Sequence, residues 1–177
     1  MSEREDLFIH LFTEHHQDIL AYLARRVRQS DDAADLLSDV FLIAWRRLDT
    51  VPAGDHARLW LFGVARKALL NHHRGAFRGQ NLANRLSQHL PATTASSPEV
   101  LDADLGRALR GLSSLDREVL TLTVWEGLTP EEIGQILEVP AGTIRVRLHR
   151  ARARLRRLLQ TAMAVEAAMV SPAAGRN

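Results

Sequence analysis

The sequence predicts an all-α protein made of two small helical domains joined by a flexible linker, the C-terminal one ending in a helix, a tight turn and a second helix. Three observations predict it. Apolar residues recur at spacings of three and four through most of the chain, which is the helical period. Residues 87–98, SQHLPATTASSP, hold two prolines, three serines and two threonines and no aromatic or β-branched aliphatic residue, the composition of a linker. Residues 129–159 place a capped helix start, a proline–glycine break and an arginine-rich helix in succession.

The elements follow in order. Leu7, Phe8, Leu11, Phe12, Ile19, Leu20, Leu23 and Val27 form a first apolar stripe, and Leu37, Val40, Phe41, Ala44, Trp45 and Leu48 a second. Leu61, Phe62, Ala65, Ala68, Leu69 and His72 form a third, on a helix running over 58–74. Residues 119–125, VLTLTVW, alternate as a strand would. They are read as helix, because Ser113 and Ser114 can cap its start, Gly127 can end it, and a lone strand would find no partner. Thr129, Pro130 and Glu132 then supply a capping threonine, a proline at the first helical position and a glutamate three residues after the cap. Ile133, Ile136 and Leu137 give that helix its apolar side, residues 138–142 break it, and Thr143 starts the next. This is the pattern of a helix-turn-helix. The expected organisation is a domain at 1–86, a linker at 87–103, a domain at 104–160 and an alanine-rich tail at 161–177 without an assigned role. Each domain is small for one that must fold alone.

Composition narrows the chemistry. With 177 residues and no cysteine, the chain offers no disulfide, thiolate nucleophile or cysteine-based zinc site, and a cytoplasmic home is expected. The longest apolar run, Val40 to Trp45, is far below the roughly 20 residues of a membrane span. Glu3, Arg4, Glu5 and Asp6 do not read as a signal peptide. His10, His15, His16, His72 and His73 lack the spacing of a helical zinc site, and His72 reads as a core residue on the third stripe. No nucleophile–base pair, phosphate-cradling loop or dinucleotide fingerprint is visible, so no enzyme activity, cofactor or small-molecule substrate is expected.

Charge is sorted along a nearly neutral chain. The formal net charge is +2, but residues 56–98 contain no acid and 141–157 contain seven arginines and no acid. Residues 116–138 between them hold six acids and one arginine. Two basic zones of this kind mark anion-facing surfaces.

Three helix faces can be assigned from periodicity. On the last helix Ile144, Leu148, Ala151, Leu155 and Leu159 share one side, at about 100° per residue. Arg145, Val146, His149 and Arg150 point the other way, flanked by Arg147 and Arg154, with Thr143 at the helix start. Such a face suits a major groove, where arginine pairs with guanine edges and flanking arginines meet phosphates. On the third helix, Trp60, Gly63, Lys67, Asn71 and Arg74 lie opposite the apolar stripe, with Asp55 and Arg58 just before; tryptophan among cations suits stacking on unpaired bases. On the second helix Asp32, Asp35, Leu36, Asp39, Leu42, Ile43 and Arg46 face outward, carboxylates interleaved with aliphatics as on a protein-docking surface. The helix dipole accounts for Asp31 and Asp32, but Asp35 and Asp39 lie too far in. An autonomous helix-turn-helix regulator, binding a palindrome as a dimer, is the alternative reading.

In its motifs the chain resembles the extracytoplasmic-function (ECF) sigma factors of bacterial RNA polymerase. Asp35-Leu36-Leu37-Ser38-Asp39-Val40-Phe41-Leu42-Ile43-Ala44-Trp45 is similar to the family's polymerase-binding helix, and Trp60-Leu61-Phe62-Gly63-Val64-Ala65-Arg66 to the start of its minus-ten helix. Glu131-Glu132-Ile133-Gly134 and Gly142-Thr143-Ile144-Arg145-Val146-Arg147-Leu148-His149-Arg150-Ala151-Arg152 resemble its minus-thirty-five domain. The resemblance covers roughly 7–80 and 104–160. It implies that the Asp35/Asp39 face docks on the clamp helices of the polymerase's largest subunit. It implies that residues 49–56 and the Lys67/Asn71 face capture a flipped base and hold the melted minus-ten strand, and that the Arg145/Val146/His149/Arg150 face reads the minus-thirty-five duplex. The linker would thread through the polymerase cleft, and an anti-sigma protein would hold the chain inactive. Ser38, Lys67 and Val146 stand where the family commonly has glutamine, asparagine and serine. Lys67 and Val146 fall at base-reading positions, so the promoter sequence does not carry over from relatives.

Overall fold

The computed structural model describes residues 3–27, 29–86 and 103–170, of which 76–86, 103, 163 and 165–170 are described as backbone only. The chain divides into two compact units, Met1–Pro98 and Glu99–Asn177. Every regular element among the described residues is helical. The linker reading at 87–98 and the end of the tail, 171–177, lie outside them.

The first unit packs α1 (Glu3–Ala24), α2 (Ser30–Arg46) and α3 (Asp55–Leu86), with a 3-10 turn at Leu48–Thr50 between the last two. Its core is Ile19, Tyr22 and Leu23 from α1, Val40, Phe41 and Ala44 from α2, and Leu61, Phe62 and Ala65 from α3, all essentially removed from water. Tyr22 meets Phe62 edge-on, ring centroids 5.3 Å apart, and Phe8 meets Trp45 likewise at 5.2 Å. The apolar stripe of α1 is rotated from the expected one. Leu7, Phe12 and Leu20 are partly exposed, whereas His15 and Tyr22 are buried. The inner face therefore steps Leu11, His15, Ile19, Tyr22–Leu23, a spacing of four, four and three that takes in a histidine the expected stripe passes over. Near the N-terminus Arg4 grips the far end of α2. Its Nη1 donates to both carboxylate oxygens of Asp49 at 2.8 and 2.9 Å, and its Nη2 donates to the Trp45 carbonyl at 2.8 Å. That carbonyl is one of the last-turn acceptors which a helix cannot satisfy internally.

The second unit comprises α4 (Ala103–Arg110), α5 (Ser114–Val124), α6 (Pro130–Leu137) and α7 (Ala141–Val170). The ambiguous stretch is helix. Ser113 accepts the Asp116 amide hydrogen, and Gly127, at φ +66°, turns the chain after the last residue of the helix. Arg117 secures the neighbouring α4, which periodicity did not pick out, by donating to the carbonyls of Leu109, Arg110 and Leu112. At the start of α6 the capping box is complete. The Thr129 amide donates to Glu132 Oε2 at 2.7 Å, and the Glu132 amide donates to Thr129 Oγ1 at 3.3 Å. The tight turn after α6 holds Glu138 in the left-handed region, φ 57° and ψ 41°. It brings Val139 so close to α6 that a Cβ on Gly134 would stand 2.7 Å from the Val139 carbonyl oxygen. Helix α7 begins at Ala141, two residues before the expected Thr143, because the Pro140 carbonyl accepts the amides of Thr143 and Ile144. It continues as far as Val170, into the segment read as a tail.

Candidate nucleic-acid interfaces and docking face

The face of α7 opposite its core is built by packing the other side. Helix α7 packs on α4, α5 and α6, with Ile144, Leu148 and Ala151 buried, and this leaves Thr143, Arg145, Val146, His149, Arg150 and Arg154 exposed. The expected groove face is thus a physical surface. Two of its arginines are not solitary. Arg145 Nη2 donates to Glu131 Oε1, from the first turn of α6. Arg147, half-buried, donates through Nη1 to Asp116 Oδ1 at 3.1 Å, from the first turn of α5. Sequence reasoning missed both acids. Glu131 and Asp116 lie 14 and 31 residues from their partners, and no periodicity links positions across a turn.

On α3, Lys67, Asn71 and Arg74 are exposed and Trp60 and Gly63 half-exposed, on the side away from Leu61, Phe62, Ala65 and Leu69. Asp55 is exposed at the helix start. Arg58 corrects the expectation. It turns into its own unit, with Nε donating to Asp18 Oδ2 at 2.8 Å and the guanidinium 4.9 Å from the Phe62 ring centroid. A cation held by a carboxylate and an aromatic face is a structural tie between α1 and α3, and so contributes less to an anion-binding surface. His72, expected in the core, sits at its edge with Nε2 3.7 Å from Asp32 Oδ2.

On α2 the structure divides the docking residues. Asp35, Asp39, Leu42 and Arg46 are exposed, Leu42 at 46%, and Ile43 is half-buried. Leu36 does not belong with them: at 4% exposure it is a core residue. It lies three residues after buried Ala33 and four before buried Val40, so the inner arc of α2 is wider than the stripe that begins at Leu37. Asp32 likewise faces α3 through its contact with His72. The remaining outward face is two carboxylates, two aliphatics and one arginine.

Comparison with known proteins agrees with this division into two parts. The family description "Sigma-70 region 2" fits residues 11–78, and "Sigma-70, region 4" fits residues 102–155. The chain is 30% identical to the RNA polymerase sigma factor YlaC of Bacillus subtilis over 153 residues, 83% of this chain and 88% of the relative. It is 31% identical to the ECF RNA polymerase sigma factor SigL of Mycobacterium tuberculosis over 158 residues, 85% of this chain and 87% of the relative. Among solved structures, the sigma factor RpoE of Bartonella quintana, determined in complex with the anti-sigma factor NepR, superposes with a TM-score of 0.66 at 27% identity, covering 86% of this chain and 96% of that one.

Proposed function

The chain belongs to the extracytoplasmic-function sigma factors of bacterial RNA polymerase, and from that membership we propose how its faces divide the work. The subunit is non-catalytic; core polymerase supplies the chemistry, in the cytoplasm. Among the described residues no helix is long and apolar enough to cross a membrane.

The Asp35, Asp39, Leu42, Ile43 and Arg46 face of α2 docks on the largest subunit of core polymerase. The Trp60, Lys67, Asn71 and Arg74 face of α3, with the loop that precedes it, binds the melted minus-ten strand. The Thr143, Arg145, Val146, Arg147, His149, Arg150 and Arg154 face of α7 reads the minus-thirty-five duplex. The boundaries proposed for these activities are 1–86 and 104–160, joined by the linker at 87–103. An anti-sigma protein, as in the solved complex of the Bartonella quintana relative, is the proposed regulator.

Melting is driven by binding. A surface that takes unpaired, flipped bases shifts the duplex–open equilibrium by its preference for the open state, and needs no nucleotide hydrolysis. The observation that carries the reading is the pairing, in one chain, of an exposed arginine surface on a capped helix-turn-helix with a separate unit that half-exposes a tryptophan beside exposed cations on one helix and exposes carboxylates on another. The test is transcription in vitro with core polymerase and mapping of the RNA start sites. The chain with core should initiate at discrete sites that core alone does not use. Tight, site-specific binding by the chain alone, with no effect on core, would instead establish an autonomous regulator.

A further inference from the structure

Helix α7 presents arginine to the groove, yet two of its arginines carry an acid from a neighbouring helix, Glu131 beside Arg145 and Asp116 beside Arg147. The first pair is more than half exposed on both sides, at 59% and 53%. An ion pair in that position adds little to folding, so fold stability does not account for it. Its location is informative. Glu131 occupies the first turn of α6, and Asp116 the first turn of α5. Helix N-termini are favourable places for phosphate, and these two are occupied by carboxylates instead.

The consequence for DNA is asymmetric. A phosphate approaching Arg145 or Arg147 meets a fixed negative charge well inside the Debye length of roughly 8 Å at physiological salt. The arginine's net gain from backbone contact is correspondingly reduced. A guanine edge is neutral overall and asks for directed donors. An arginine that gives one N–H to a carboxylate keeps others for O6 and N7, and its guanidinium plane is held in place. Acids so placed weaken indiscriminate backbone binding while leaving base recognition largely intact, which is specificity by penalising the wrong target.

We propose that Glu131 and Asp116 are specificity-determining residues: they position Arg145 and Arg147 and suppress sequence-independent DNA binding by α7. The inference rests on the assignment of α7 to duplex recognition.

The experiment uses the full chain with core polymerase, and core alone as the blank. The probes are a short upstream duplex selected from a randomised pool by the wild-type holoenzyme and a shuffled duplex of the same composition. The variants are Glu131→Gln and Asp116→Asn, which keep the shape and an acceptor oxygen. Neither touches the capping side chains, which belong to Thr129, Glu132 and Ser113. Each variant should bind the shuffled duplex about fivefold more tightly at 0.15 M salt and steepen its log–log salt slope by about 0.9, the increment of one added phosphate contact. Affinity for the selected duplex should change less than about twofold, so discrimination falls several-fold. Unchanged binding to the shuffled duplex, or an equal gain on both duplexes, would overturn the inference. Failure of the wild-type holoenzyme to prefer any duplex in the pool would instead overturn the assignment of α7 itself, so the two failures are told apart.

Discussion

His15 stands on the inner face of α1 with only 6% of its surface exposed. Burial, above all, holds its imidazole below the ordinary value of 6.5. Glu14 and Asp18 oppose that shift, and Arg58 and His10 add to it. The unfolded chain therefore takes up this proton at a higher pH than the native chain does. The stability carried by neutral His15 is complete above about pH 6.5 and is lost as pH falls from there toward the lower native pKa. The denaturant midpoint should accordingly drop between pH 7 and pH 5, and His15→Gln should flatten that slope; an equal slope in both proteins would count against His15 as its source. Val146, 50% exposed in the middle of a polar face, invites a second prediction. An apolar side chain in a major groove contacts the thymine methyl group. Covering one methyl contributes roughly 0.8 kcal/mol, about fourfold in affinity. Replacing thymine by deoxyuridine along the upstream element should weaken holoenzyme binding by about that factor at one position, and Val146→Ser should erase the dependence. Insensitivity at every position would remove valine as a base reader.

Within the elements, the most exacting geometry is the turn between α6 and α7. Gly134 lets Val139 approach the helix, and the carbonyl in the way is backbone that no rotamer change can move aside. Gly134→Ala should cost about 1–3 kcal/mol, the range for overpacking a close contact. Because the turn sets the angle of α7, promoter binding should fall further than the melting temperature implies. A variant with wild-type melting temperature and wild-type transcription would show that the turn yields. The turn, its cap and the two faces of α7 were legible in the sequence because they rest on local rules. Thr129, Pro130 and Glu132 signal a helix start within four residues, and the Ile144–Leu148–Ala151 spacing leaves only one side for Arg145 and Arg150. Leu36 was not legible. A leucine directly beside a good apolar stripe fits either arc, and only the packing of α2 against its neighbours decides. The contacts of Arg58 with Asp18, Arg145 with Glu131 and Arg4 with Asp49 were also hidden, since each joins residues far apart in sequence. Charge zoning had marked Arg58 and Arg145 as available to DNA, although neither is charge-balanced only by water.

For the whole molecule, the division of the chain into two units makes the two proposed DNA-binding roles separately testable. Asp39→Arg reverses an exposed charge on the outer face of α2, where nothing in the core depends on it. Capture of the chain on immobilised core polymerase should be abolished while its circular dichroism stays unchanged; undiminished capture would remove α2 as the docking helix. Trp60→Ala should leave closed-complex affinity within about twofold and reduce open complexes by about five- to 150-fold, the range expected when a base–aromatic stack worth roughly 1–3 kcal/mol is lost. Equal losses in both steps would point to packing in place of stacking. Lys67 and Val146 belong to different units, so exchanging one for the family's commoner residue should alter preference at one promoter element and leave the other unmoved.

The grip of Arg4 has a bearing on control. Three hydrogen bonds from a single guanidinium fasten the opening turn of α1 to Asp49 and to the closing carbonyl of α2, directly ahead of the loop at 51–54. That loop is consequently braced from the start of the chain. A protein that unwound the first few residues of α1, without covering any surface used by DNA, would slacken the bracing. Under the role proposed for α3, that would silence strand capture by remote release, leaving the proposed recognition surfaces themselves intact.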